Sequence, residues 1–144
     1  MQMTPQISGT LAGLAFSIST TECKTGTITR VEVQGDYWAN GTEGGSFLEM
    51  IISAALAAPW APVPAMLCDL SKLIYTGGDR LLIWRHLLDK QTRPPLRYAL
   101  LASAHNFAHI ASLIDDEDDD SLRSLLFSDE ADALQFLCDP TVKP

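Results

Sequence analysis

The sequence predicts an α/β protein: one domain on a mainly parallel β-sheet, with one antiparallel edge strand and about four helices. Three observations predict it. Strand-like and helical segments alternate along the chain, which calls for right-handed crossovers between parallel strands. The inner strand candidates, such as Ala65 to Leu70 (AMLCDL), are nearly all apolar, as in strands covered on both faces. The 144 residues suit a single domain spanning 1–144, long enough to bury about 68–70% of its unfolded surface without a disulfide or metal.

Leu14 to Ser19 (LAFSIS) reads as a first strand. Thr27 to Val33 (TITRVEV) alternates apolar and polar residues and reads as a half-exposed second one. The intervening TTECKTGT is turn-like around Gly26, so the two are expected to pair antiparallel. Gln34 to Gly45 (QGDYWANGTEGG) reads as a loop. Ser46 and Glu49 have capping-box spacing, and Leu48, Ile51, Ile52, Ala55 and Leu56 give the helix that follows an apolar face until Pro59 ends it. After the strand at Ala65, Leu81, Leu82, Trp84, Leu87 and Leu88 mark a second helix ending near Lys90. Leu96 to Ala102 is the next apolar strand, and Ser103 is placed to cap a third helix whose inner face is Phe107, Ile110, Ala111 and Ile114. Asp115 to Asp120 (DDEDDD) reads as a solvated acidic loop. Leu125 to Phe127 is a short last strand. Glu130 to Cys138 is a last helix, capped by Ser128 or Asp129, with Ala131, Leu134 and Leu137 facing inward.

Composition excludes some functions. The net charge of −8 argues against a nucleic-acid backbone as partner, because phosphate contacts need a basic stripe. Six of the 18 acidic residues sit in the DDEDDD run, so the remainder is close to neutral. Three widely spaced cysteines, Cys23, Cys68 and Cys138, form no C-x-x-C pair and fit reduced thiols in a cytoplasmic protein. The N-terminal apolar stretch has no preceding Lys or Arg, unlike a signal peptide. The longest apolar run is broken by three prolines, so no membrane span is expected.

The most informative stretch is Asp69 to Trp84, DLSKLIYTGGDRLLIW. A strand carrying Asp69-Leu70-Ser71 runs through Tyr75 into Thr76-Gly77-Gly78-Asp79, and the helix at Leu81 follows. This pattern, with the strand order and the Leu126-Phe127-Ser128-Asp129-Glu130-Ala131 ending, resembles the STAS domain of anti-sigma-factor antagonists and sulphate-transporter tails. The overlap runs from about Leu14 to Leu137, and a divergent branch that also resembles lipid-carrier-type domains is the nearest likeness. The resemblance implies a non-catalytic regulatory module with a protein partner: a kinase, an anti-sigma factor or a sensor protein.

The resemblance also exposes a departure. The antagonists switch when a serine at this helix start is phosphorylated, and here that position falls on Gly78, which has no hydroxyl. Asp79 follows it, as a fixed charge of about one against the −1.5 to −2 of a phosphate. Asp79 is more simply explained as a helix cap, worth roughly 0.3–1 kcal/mol.

Other chemistry is sparse. His105 and His109 are four apart, a metal-compatible spacing, but they fall opposite the apolar face and lack a third ligand. The acidic run lacks the glycine and spacing of a calcium loop. No nucleophile, base and orienting group assemble, so no enzyme, metal or cofactor is expected. In open α/β sheets ligands bind beyond the carboxyl ends of the parallel strands. The candidate site is therefore Tyr37, Trp38, Thr76, Gly77, Gly78, Asp79, Ser103 and His105. A small apolar or anionic ligand at this edge is the alternative to a protein partner, and a homodimer stays open.

Overall fold

In a computed structural model, the structure describes residues 6–11, 14–23, 26–37, 65–75, 97–116 and 120–139. Six strands form one sheet: β1 (Gln6–Leu11), β2 (Leu14–Cys23), β3 (Gly26–Asp36), β4 (Ala65–Ile74), β5 (Arg97–Leu101) and β6 (Leu126–Phe127), adjacent in chain order. Three helical segments are described: α1 (Phe107–Asp116), α2 (Asp120–Arg123) and α3 (Glu130–Cys138). The helices predicted from Ser46 and from Leu81 lie outside the described residues.

β3, β4, β5 and β6 pair in parallel, whereas β2 is antiparallel to both of its neighbours. This corrects the expected antiparallel edge strand. The reversed strand β2 is second from the edge, and the edge is β1, which runs in the common direction. The sequence reading missed β1 because QISGTL has a glycine at its centre and few strand-favouring side chains. That glycine suits its place: a Cβ on Gly9 would come within 3.3 Å of the Phe16 ring on β2.

Two further boundaries move. Thr20 to Glu22 continue β2 instead of forming a turn, pairing with Thr27 to Thr29, and the hairpin closes at Cys23 opposite Gly26. β-branched threonines fit a pleated surface better than a turn. β3 also extends through Gln34, Gly35 and Asp36, which were expected in a loop. Gly35 has φ 125°, a backbone conformation that favours glycine.

The sheet is covered on both faces. On one, Val31, Val33, Met66, Cys68, Leu70, Tyr98 and Leu100 pack with Ile110, Ala111 and Ile114 of α1 and Leu122 of α2. On the other, Ile28, Ala65, Leu67, Ala99 and Leu101 pack with Ala133, Phe136 and Leu137 of α3. Of the residues expected to face inward on α3, Leu137 is buried and Leu134 packs against this cluster, whereas Ala131 is exposed and Ala133 and Phe136 take buried positions. Burying the large Phe136 ring outweighs burying an alanine methyl. Asp129 caps α3, its carboxylate accepting from the Ala131 and Asp132 amides at 2.8 and 3.2 Å. Arg97 holds the other end. Its Nε and Nη2 donate to Phe136 O at 2.9 and 2.6 Å, and the guanidinium lies 3.9 Å over the Phe136 ring.

The acidic run is not one loop. Asp115 and Asp116 complete α1 and Asp120 begins α2; residues 117–119 lie outside the described residues. Asp115 Oδ1 stands 3.9 Å from Arg123 Nε, a loose surface pair.

Candidate functional site at the strand-end edge

The parallel strands end in an arrangement set by a bulge in β4. Glu32 stands opposite Asp69, but Gln34 stands opposite Lys72, so Leu70 and Ser71 together face Val33. The extra residue resets the alternation, and Leu73 and Tyr75 turn into the core while Lys72 and Ile74 turn out. The Asp-Leu-Ser triplet holds this bulge in place. The buried Asp69 carboxylate accepts from the Ser71 amide at 3.0 Å and the Ser71 hydroxyl at 2.5 Å. An aspartate bonding two residues ahead is an Asx turn, here closing the bulge.

Asp69 is only 1% exposed and has a cation partner, Arg30, whose Nη2 donates to Oδ2 at 2.5 Å. Arg30 also pairs with Glu130 in the first turn of α3, tying strand to helix. Burial alone would lower the Arg30 pKa, but bonding to and attraction from Glu130 and Asp69 raise it above its ordinary value. Outside this group, the Lys72 ammonium donates to Glu32 at 2.5 Å, and that hydrogen bond and charge raise its pKa.

β5 leaves the sheet at Leu101, opposite Asp69. Beyond that point no described strand flanks β4 on the β5 side, and the Asn106 side chain takes over. Its Nδ2 donates to the carbonyls of Leu70 and Leu73, both at 2.9 Å. Its Oδ1 accepts from the Ser103 amide at 2.8 Å and hydroxyl at 3.2 Å. Asn106 is 1% exposed, so every polar atom of its amide is used inside the protein. Ser103 fills the capping role expected of it, its hydroxyl accepting from the His105 and Asn106 amides at 3.2 and 3.3 Å.

A groove of about 360 Å³ opens over this junction, between the end of β4 (Ser71 to Tyr75) and the start of α1 (Ser103, His105, Asn106). Ile74 on its rim is 58% exposed, the only large hydrophobic so exposed among the described residues. Of the expected site residues, Ser103 and His105 stand on this groove. Tyr37 does not. Its ring is buried at 1% exposure, edge-on to Tyr75 with centroids 5.4 Å apart, and its amide donates to Ile74 O at 3.0 Å. Tyr37 is thus corrected from a loop contact to a core residue that closes the ends of β3 and β4. Trp38, Thr76, Gly77, Gly78 and Asp79 lie outside the described residues. His105 and His109 are exposed, as expected. Among the described residues no group of three or more His, Cys, Asp or Glu is placed to hold a metal ion.

The sequence reading named Asp69 only as part of the Asp-Leu-Ser pattern, and it missed Asn106 and Arg30. For Asn106 a signal existed: Ser103-x-x-Asn106 ahead of an apolar helix face is a capping pattern. For Arg30 the pairing with Asp69 is 39 residues distant in sequence, and no local spacing marks it.

A single sheet with a reversed second strand, helices on both faces and a bulged Asp-Leu-Ser strand leading to the strand-end corner defines a STAS-like α/β fold. A solved structure, the crystal structure of an anti-sigma factor antagonist from Mycobacterium paratuberculosis, has the same fold: TM-score 0.58, 20% sequence identity, 86% of this chain and 95% of that chain covered. No protein-family model and no curated protein matches the chain. No described helix is long and apolar enough to cross a membrane.

Proposed function

We propose that this protein is a non-catalytic regulatory module of STAS type that acts in the cytoplasm by docking a protein partner at the strand-end edge. The observation that carries the reading is the likeness to an anti-sigma factor antagonist across 86% of the chain, joined to a groove at the strand-end edge, where such sheets bind, beside the Asn106 hydrogen bonds. The partner class is a kinase, an anti-sigma factor or a sensor protein. The usual phosphoserine switch is absent from the corner, since Gly78 stands at that position and Asp79 supplies a permanent negative charge.

The test uses purified kinases and anti-sigma factors encoded beside the gene, with binding measured against wild type, Gly78→Trp, Asp79→Asn and Ile74→Glu. Asp79→Asn keeps capping geometry and removes charge. A partner whose affinity falls at least about tenfold, or 1.4 kcal/mol, in these variants at unchanged melting temperature supports the reading. Unchanged affinity in all three contradicts it.

The groove also favours a second reading, a small-ligand domain, because Ile74 and the Ser103 and His105 side chains offer apolar and polar contacts in one concavity. Native mass spectrometry of protein purified from its own cells decides this. A bound non-protein mass that Ile74→Glu removes favours the ligand, and a bare chain argues against it.

A further inference from the structure

We propose that β1 is a self-association edge, through which two copies of this chain join their sheets into one. Natural edge strands are blunted by charges, prolines, bulges or shortness. The far edge follows that rule, since β6 is two residues long. β1 does not. It is six residues long, pairs with β2 without a register shift, and carries no charge or proline. No described strand lies on its outer side.

Charge selects the occupant. The chain has net charge −8, so two copies repel over most of their surfaces. The paired span of this hairpin, Gln6–Leu11 against Leu14–Ser19, contains none of the 28 charged residues. It is a surface where two copies meet without opposing like charges. A shallow groove of about 390 Å³ lies over the hairpin, lined by Ser8, Thr10, Ala15 and Ser17 and, at its inner end on β3, by Gln34 and Glu32, whose charge is paired with Lys72.

Geometry then fixes the pairing. A two-fold axis perpendicular to the sheet sets like-faced residues opposite one another, so it passes midway between one residue and its own copy. Centred on Gly9, it pairs Ser8 of each copy with Thr10 of the other, a favourable hydroxyl pair. It also sets glycine opposite glycine, with the two Phe16 rings on the same face on either side. The two edges run antiparallel, and the product is a continuous twelve-stranded sheet. Its contact is small, so association is concentration-dependent.

The experiment is sedimentation equilibrium of the full chain from roughly 10 µM to 1 mM, the range where a small interface associates. The apparent mass should rise from 15.7 kDa toward twice that value. Ser8 and Thr10 are exposed, so the double variants S8K/T10K and S8E/T10E should fold as wild type does. Each alone places like charges opposite one another and should stay monomeric, whereas an equal mixture should recover the dimer mass. A wild type that stays monomeric throughout overturns the proposal, as do charged variants that self-associate as wild type does.

Discussion

Replacing Asn106 with alanine tests the strand-end scaffold at its most exacting point. The buried amide donates to two carbonyls, Leu70 O and Leu73 O, and accepts from the Ser103 amide and hydroxyl. Asn106→Ala leaves two buried carbonyls without these donors, at about 1–2 kcal/mol each toward the low end of the range for an unsatisfied buried group. The Ser103 amide loses its acceptor as well. The expected loss is about 2–4 kcal/mol, a fall of roughly 10 °C in melting temperature for a chain of this size. Thermal and urea unfolding followed by circular dichroism measure it. Asn106→Asp separates hydrogen bonding from packing. The introduced carboxylate keeps the shape but faces two carbonyls, so its pKa is raised in the folded state. Stability is then retained at low pH, where the acid form donates one bond, and lost as pH rises through that raised value. His105→Ala, one residue away and exposed, should stay within about 0.5 kcal/mol of wild type. A melting temperature for Asn106→Ala within about 3 °C of wild type would refute the claim that these bonds hold the corner.

Arg97→Ala removes the C-terminal hold on α3 and the contact over Phe136, and should destabilise by about 1–3 kcal/mol in urea unfolding; no change would show that α3 docks through its apolar face alone. Burial, and then the Asp69 charge, push the Cys68 thiol up from 9.0 to about 12. Its pKa is higher folded than unfolded, so its contribution to stability is complete below about pH 8.5 and is lost as pH rises toward 12. At pH 8 a thiol reagent should therefore label Cys68 only on unfolding, and peptide mass mapping that finds it labelled as fast as the half-buried Cys138 would contradict this. Asp115→Ala should change stability by less than about 0.5 kcal/mol, because its partner Arg123 is 3.9 Å away and the carboxylate is 68% exposed; a larger loss by urea unfolding would mean that this pair holds α1 to α2.

The central architecture was legible because its signals are local. The nearly all-apolar AMLCDL run, the Ile110–Ala111–Ile114 stripe and the Asp129 cap each announce their element within a few residues, and each stands where the pattern put it. The edge was harder to read. β1 is held by backbone pairing and by Phe16 over Gly9, neither of which leaves a hydrophobic alternation in QISGTL. The bulge was also hidden: Ser71-Lys72-Leu73 has no period until the slip against β3 is known. Tyr37 was misplaced for the same reason. A loop-like composition after Val33 concealed that the strand continues and turns an aromatic ring into the core. Within the candidate site, Ser103 was readable as a cap, whereas Arg30, and Asn106 in its bonds to the Leu70 and Leu73 carbonyls, act through partners more than 30 residues away.

The central claim is that the groove between the end of β4 and the start of α1 is where a partner docks. Amide-resolved NMR of the full chain, titrated with a binding protein identified from the neighbouring genes, tests it directly. Shifts concentrated at Ser71 to Tyr75 and Ser103 to Asn106, and reduced by Ile74→Glu, are the predicted result. Shifts concentrated instead on the exposed side of α3, with the groove amides unmoved, would contradict it.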